Sequence, residues 1–192
     1  MTDPRVYSPS EDTFLLLSAA ERECRDADRV LEVGCGSGYI SSRLRAGWSG
    51  EILASDINPY ALRVTRYTGL EVVRADLLSG IRGPFDLVIF NPPYLPTSPE
   101  ERIDDWLESA LDGGPDGRSV ITRFIGDVGR VLAPGGRFLL LISSLTGIRE
   151  VLTLLDTAGY SHDIVLGEMI EGEELLVIRA RRREDFLGSS TR

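Results

Sequence analysis

The chain has 192 residues, 42% of them hydrophobic, enough for one domain to build its core without disulfide or metal staples. Thirty acidic residues face twenty-one basic ones for a net charge of −9, a balance that disfavours unaided binding to nucleic acid. No apolar run approaches the roughly eighteen residues of a membrane span, and with only Cys24, Cys35 and His162 the chain cannot assemble a structural zinc site of its own.

The N-terminus, Met1 to Arg5, lacks the basic-then-apolar form of a secretion signal, so the protein is expected in the cytoplasm. After Tyr7-Ser8-Pro9, Ser10 can cap a helix with Thr13 three positions on, and this helix is expected to run to about Arg25. Arg29 to Val33 reads as a buried strand. It ends in the cluster Gly34-Cys35-Gly36-Ser37-Gly38, and a helix follows from Tyr39 to about Ala46. Glu51 to Ser55 is the next strand, closed by Asp56, and Pro59 suits the first turn of another helix.

Leu70 to Arg74 is a short strand followed by Asp76, and Phe85 to Phe90 is a strongly apolar one that stops at Asn91-Pro92-Pro93-Tyr94. A polar loop runs from Leu95 to Gly117. Arg118 to Leu132 has helical spacing, with Pro134-Gly135-Gly136 expected to terminate it. Arg137 to Ile142 reads as a strand and Ile148 to Ala158 as a helix; two last strands fall near Asp163 to Leu166 and Glu174 to Ala180. This alternation predicts an α/β sandwich around a mostly parallel, seven-stranded sheet whose last strand is antiparallel. Residues 1–182 are expected to form the single domain and 183–192 a flexible tail. His162, in a polar stretch after Gly159-Tyr160-Ser161, reads as a surface histidine.

A glycine loop between strand and helix lets a ligand approach the backbone near a helix N-terminus. The dinucleotide fingerprint places its third glycine three positions after the second. Here that position holds Tyr39 and the glycine comes one earlier, at Gly38, which favours a cofactor without a pyrophosphate. Asp56 ends one strand, where a carboxylate can accept two ribose hydroxyls. Asp76 ends the next and could accept an adenine amino group. Glu32 stands near the carboxyl end of the first strand, suited to a cationic amino-acid or sulfonium group. Ribose, adenine and positive charge together describe S-adenosylmethionine.

Asn91-Pro92-Pro93-Tyr94 adds the chemistry. Two prolines stiffen the turn and fix neighbouring carbonyls. The Asn91 side-chain oxygen and the Pro92 carbonyl can then accept both hydrogens of one NH2 group, and Tyr94 can pack against the planar group that bears it. A planar amide or amino nitrogen is a poor nucleophile; holding its hydrogens supplies orientation and stabilises the charge that develops on it.

Five motifs in order, Tyr7-x-Pro9-x-Glu11-Asp12-Thr13-Phe14, Glu32 to Gly38, Asp56-Ile57-Asn58-Pro59, Ala75-Asp76-Leu77 and Asn91 to Tyr94, resemble the HemK-type glutamine N5-methyltransferases, in particular their short archaeal and eukaryotic branch. The later Gly113-Gly114-x-x-Gly117-Arg118 resembles that branch as well. Its aromatic residue before the glycine pair is replaced here by Leu111-Asp112, with Trp106 earlier in the loop.

The resemblance implies a class I methyltransferase that carries a methyl group from S-adenosylmethionine, leaving S-adenosylhomocysteine, to the glutamine of the Gly-Gly-Gln motif of a class-I translation release factor. It implies that Asn91, Pro92 and Tyr94 act on the amide, that Pro93 joins them in binding the substrate, and that Thr13, Glu32, Gly34, Gly36, Gly38, Asp56, Ile57, Asp76, Leu77 and Asn91 hold the cofactor. It also implies a small zinc-binding activator subunit. Leu70 to Arg74 is expected at a sheet edge that such a partner could extend, with Leu70, Val72 and Val73 near the contact.

Three other readings stand beside this one: an adenine N6-methyltransferase on DNA or RNA, a protein lysine methyltransferase, and a non-catalytic scaffold that binds the cofactor. The cluster Arg179, Arg181, Arg182 and Arg183 is the one basic patch that could serve a nucleic acid, and it reads more simply as a solvated strand end. The acidic, lysine-free composition fits a halophilic archaeon adapted to high salt, although GC-rich coding produces the same drift from Lys to Arg.

Overall fold

The computed structural model describes residues 3–98 and 105–183. Seven strands form one sheet in the order β3-β2-β1-β4-β5-β7-β6: β1 (Arg29–Val33), β2 (Glu51–Asp56), β3 (Glu71–Arg74), β4 (Phe85–Phe90), β5 (Leu132–Ser143), β6 (Tyr160–Ile170) and β7 (Glu173–Arg182). β7 alone runs against its neighbours, antiparallel to both β5 and β6, so the expected mostly parallel sheet with an antiparallel last strand is what forms. The helices are α1 (Glu11–Glu23), α2 (Tyr39–Gly47), α3 (Pro59–Arg66), α4 (Trp106–Ser109), α5 (Ser119–Val128) and α6 (Ile148–Thr157).

Period-two alternation along the central strands divides the core in two. Val30, Leu87, Ile89, Leu139 and Val177 turn toward Leu16 of α1 and Ile40 and Leu44 of α2. Leu31, Val88, Leu140 and Ile178 turn the other way, toward Ile121 and Phe124 of α5 and Val151 and Leu155 of α6. A row of rings, Phe90, Phe124, Phe138 and Tyr160, runs through this second layer with centroids 4.6, 5.5 and 5.1 Å apart.

Arg137, 1% exposed, reaches from β5 to Asp28 at 2.6 Å and Glu23 at 3.4 Å, tying the end of α1 to the sheet. Removing one partner of a buried pair of this kind costs about 3–5 kcal/mol. The tie matters because the other end of α1 lies over the candidate site.

Several expected boundaries move. α1 stops at Glu23, because the segment after it turns back on itself: Arg25 N–H donates to the Asp28 carboxylate at 2.9 Å and Asp28 N–H to the Arg25 carbonyl at 2.9 Å. α5 stops at Val128. Pro134-Gly135-Gly136 does not terminate it but lies within β5, where the pairing with β4 shifts register between Phe85 and Leu87. A Cβ on Gly136 would stand 2.9 Å from the Phe85 carbonyl oxygen, so the irregularity needs a glycine there. The polar loop from Leu95 holds the short α4, capped by Asp105 through Leu107 N–H at 2.5 Å and Glu108 N–H at 3.1 Å.

The last two strands are longer than expected, and their hairpin turns at Glu171-Gly172. Arg183 is held by its N–H to the Gly159 carbonyl at 3.0 Å, whereas the rest of the expected tail lies outside the described residues. β3 forms the sheet edge, with Val73 38% exposed; Leu70 precedes the strand and is buried in the core, so it is not available to a partner. No helix among the described residues is long and apolar enough to cross a membrane.

Candidate active site

The strand order reverses direction between β1 and β4, and a cavity of about 410 Å³ opens at the carboxyl ends of the strands there. Open α/β sheets take their ligands at such a switch point. The sequence motifs converge on it: Thr13, Glu32, Gly34, Gly36, Asp56, Ile57, Asp76, Leu77 and the whole Asn91 to Tyr94 turn line the wall. Gly38 does not. It begins α2 in a left-handed conformation, φ 72°, and a Cβ on it would lie 2.6 Å from Thr65 Cγ2. Close packing of α2 on α3 demands that glycine.

Gly34 and Gly36 carry positive φ of 63° and 53° and bend the loop so that its backbone faces the cavity. Asp56 stiffens the bend. Its Oδ2 accepts Gly36 N–H at 2.8 Å and its Oδ1 accepts Asn58 N–H at 2.8 Å, so the carboxylate both braces the loop and opens α3, with lone pairs remaining for hydroxyls. Burial pushes the Asp56 carboxyl above its ordinary range, and these backbone donors oppose the shift.

Glu32 is 4% exposed and accepts Ser41 N–H at 3.0 Å together with the Ser41 hydroxyl. Burial pushes its carboxyl up to about 7, against those two hydrogen bonds. A buried acid of this kind favours a cationic neighbour, which would restore the charge that burial opposes.

On the next strand end, Asp76 Oδ2 meets Arg123 Nη2 of α5 at 2.7 Å, and Leu77 after it holds φ 49°, unusual for a residue with a side chain. Ile57, Leu77 and Val120 supply apolar wall to the cavity that Asp56 and Asp76 also line. The residues present therefore fit an adenosyl ligand: acceptors for hydroxyl, amino and cationic groups around an apolar slot, with a glycine loop where a backbone must approach.

The Asn91 end of the cavity holds contacts that the sequence did not reveal. Asp12, 4% exposed, accepts Asn91 Nδ2 at 3.0 Å, the Tyr7 hydroxyl at 3.2 Å and Thr13 N–H at 2.6 Å. A carboxylate only accepts, so the Asn91 amide must turn its NH2 toward Asp12 and its oxygen away. That oxygen, Asn91 Oδ1, is buried and has no hydrogen-bond partner among the described residues. An orphaned buried acceptor is costly unless a ligand donor completes it. Burial also raises the Tyr7 and Tyr94 hydroxyls above their usual range, so both remain neutral phenols. The motif around Asp12 is visible in the sequence, and its position opposite Asn91 is not.

Trp106 reaches the cavity wall from α4, its ring edge-on to Tyr60 with centroids 6.5 Å apart. The Gly113-Gly114-x-x-Gly117 turn backs the catalytic segment, since a Cβ on Gly117 would stand 2.4 Å from the Tyr94 carbonyl oxygen. His162 sits on β6 with its Nε2 3.4 Å from Asp156 and takes no part in the cavity. Within the basic cluster, Arg179 binds Glu23 at 2.9 Å and Asp163 at 2.8 Å, Arg182 donates to the Gly129 carbonyl at 2.6 Å, and Arg183 binds Asp156.

Residues 1–104 match the family model described as the methyltransferase small domain. A putative protein N5-glutamine methyltransferase of Methanocaldococcus jannaschii is 40% identical over 185 residues, covering 93% of each chain. Methyltransferase HEMK2 of Mus musculus is 36% identical over 189 residues, covering 91% of this chain and 88% of its own. Among solved structures, the E. cuniculi Mtq2–Trm112 complex, described as responsible for methylation of the eRF1 translation termination factor, contains a chain 35% identical to this one. It superimposes with a TM-score of 0.77 over 93% of this chain and 99% of that one.

Proposed function

Because the chain belongs to the HemK-type class I methyltransferases, which depend on S-adenosylmethionine, we propose that it methylates the side-chain amide nitrogen of the Gly-Gly-Gln glutamine in a class-I translation release factor. The observation that carries the reading is the orphaned Asn91 Oδ1, a buried acceptor without a partner among the described residues, on a residue that lines the cavity at the end of β4. When bound, the cofactor supplies an electrophilic methyl group on a sulfonium.

The protein's own residues do the rest. Asn91 Oδ1 takes one amide hydrogen and the Pro92 carbonyl the other, which aims the nitrogen and leaves no freedom to rotate. As the new N–C bond forms and the methyl–sulfur bond breaks, its electron pair passing to sulfur to leave a thioether, positive charge grows on that nitrogen, and the two acceptors, with the Asp12 carboxylate behind Asn91, would stabilise it before one N–H proton passes to solvent. Tyr94 packs beside the planar group as a neutral phenol. Asp56 accepts the ribose hydroxyls, Asp76 the adenine amino group, and Glu32 lies toward the cationic end. No strong base is needed, in keeping with a cavity that holds no histidine.

The same reading includes a small activator subunit that adds a strand to β3. β3 is bonded to β2 on one side only, and the similar chain in the E. cuniculi complex is paired with Trm112. Three of the four arginines in the C-terminal cluster are committed to partners within the chain, which speaks against a nucleic-acid surface there.

The test is methyl transfer from labelled S-adenosylmethionine at high salt to a release factor and to its Gly-Gly-Ala variant, with and without the activator. Label on the Gln-containing factor alone supports substrate and site together. No label on either, from protein that binds the cofactor, would shift the reading to a lysine or adenine acceptor.

A further inference from the structure

The connection from β3 to β4, residues 75–84, carries no helix, so the segment that holds Asp76 lacks the support a helix would give it. α5 and the turn after it replace that support with two arginines. Arg130 donates to the Leu78 carbonyl at 2.8 Å and to the Ile81 carbonyl at 2.7 Å, and is itself held by Asp127 at 2.9 Å. Arg123, two helical turns earlier, takes Asp76 Oδ2 at 2.7 Å. Arg130 thus grips the backbone of the connection and Arg123 grips one side chain on it.

Both Arg123 and Asp76 line the cavity and both are about half exposed, so the pair does not stabilise a core. A surface ion pair contributes little to folding, and the two long-range contacts of Arg130 already hold the connection. What Arg123 changes is direction. With Oδ2 engaged by a guanidinium that can only donate, one rotamer of the carboxylate is favoured, and Oδ1, which has no partner among the described residues, is left as an acceptor on a cavity that Ile57, Leu77 and Val120 also line.

We infer that Arg123 is a positioning residue for base recognition: by pinning Asp76 it makes the slot select a 6-amino purine and reject a 6-oxo purine. The inference rests on the adenosyl reading of the cavity. An adenine amino group donates to the fixed oxygen. The carbonyl of hypoxanthine would face it acceptor to acceptor, and swinging Asp76 away would break its contact with Arg123.

Isothermal titration of the wild-type protein, Arg123→Ala and Arg123→Lys with S-adenosylhomocysteine and with S-inosylhomocysteine reads the selectivity directly, and thermal unfolding confirms that each variant is folded. The expected result is that Arg123→Ala weakens the adenosyl ligand about fivefold and leaves the inosyl ligand unchanged or slightly tighter, so the ratio of affinities narrows. Arg123→Lys, a point charge without the planar fork, should fall between. An unchanged ratio in both variants overturns the inference. Wild-type protein that discriminates poorly between the two ligands overturns it as well, while leaving the adenosyl site standing. Failure of the wild type to bind either ligand would instead remove the adenosyl reading itself.

Discussion

The amide of Asn91 lies 3.0 Å from the carboxylate of Asp12, a residue seventy-nine positions earlier in the chain, and that contact sets the orientation of the amide. Asp12 can accept but not donate, so it holds the Asn91 NH2 and leaves Oδ1 without a partner among the described residues. Asn91→Ala should therefore lower turnover by about 10²–10³ while cofactor affinity stays within a few fold. Asp12→Asn offers Asn91 a donor as well as an acceptor and permits the flipped amide; turnover should drop between about tenfold and a hundredfold. Single-turnover rates beside calorimetric cofactor affinities check both, and a fully active Asp12→Asn would show that the contact does not set the orientation.

Asp56 serves two neighbours at once, Gly36 and Asn58, and its replacement should be felt mainly in cofactor binding. Asp56→Ala is expected to weaken S-adenosylhomocysteine by about 1–3 kcal/mol, the cost of leaving a polar partner without its acceptor. Calorimetric titration measures it directly. Unaltered affinity would mean that the ribose is held elsewhere.

Glu32 makes binding depend on pH. Its carboxyl, pushed up to about 7 by burial, holds a proton in the empty folded protein between its ordinary range and 7, so the folded state binds more protons there than the unfolded one. Stability attributable to this group accordingly falls as pH rises through that window. A cationic ligand favours the ionised form, so cofactor affinity should rise by up to about tenfold from pH 6 to pH 8 and binding should release a proton. Titrations in two buffers of different ionisation heat would count that proton. Glu32→Gln should abolish the release and flatten the pH profile.

Gly117 stands behind the catalytic turn with φ 70°, and a Cβ there would press within 2.4 Å of the Tyr94 carbonyl oxygen. Gly117→Ala should cost about 1–3 kcal/mol of stability through backbone strain alone. Displacement of Tyr94 should also lower turnover at least about tenfold with cofactor affinity retained. Thermal unfolding and steady-state kinetics separate the two effects; lost stability with intact turnover would confine Gly117 to a folding role.

At the far edge of the sheet, Val73 is the exposed apolar residue of β3. Val73→Asp should leave the isolated fold intact and prevent co-elution with the activator on gel filtration, because a strand added at this edge would bury the new charge. A complex that survives the substitution would direct attention to another surface.

The order of elements apart from the short α4, the antiparallel last strand and the identity of the strand-end acids were legible in the chain alone. Each depends on local rules: apolar runs bounded by turn residues, Pro59 opening α3, the glycine cluster after β1, and the proline turn after β4. Where local rules conflicted, the sequence misled. Pro134-Gly135-Gly136 looks like a helix stop but forms an irregular stretch of β5, and Leu70 looks like part of an edge but packs into the core.

Gly38 shows the same limit within the site. Its place in the motif suggests a ligand, and only the approach of Thr65 from α3 reveals that packing demands it. Composition and motif order were sufficient for the kind of fold and the cofactor class, because those follow from short-range periodicity and backbone conformation. Asp12 facing Asn91, Arg123 holding Asp76 and Gly117 supporting Tyr94 were decided by the tertiary structure, since each joins segments that meet only after the sheet has formed and its helices have packed on it.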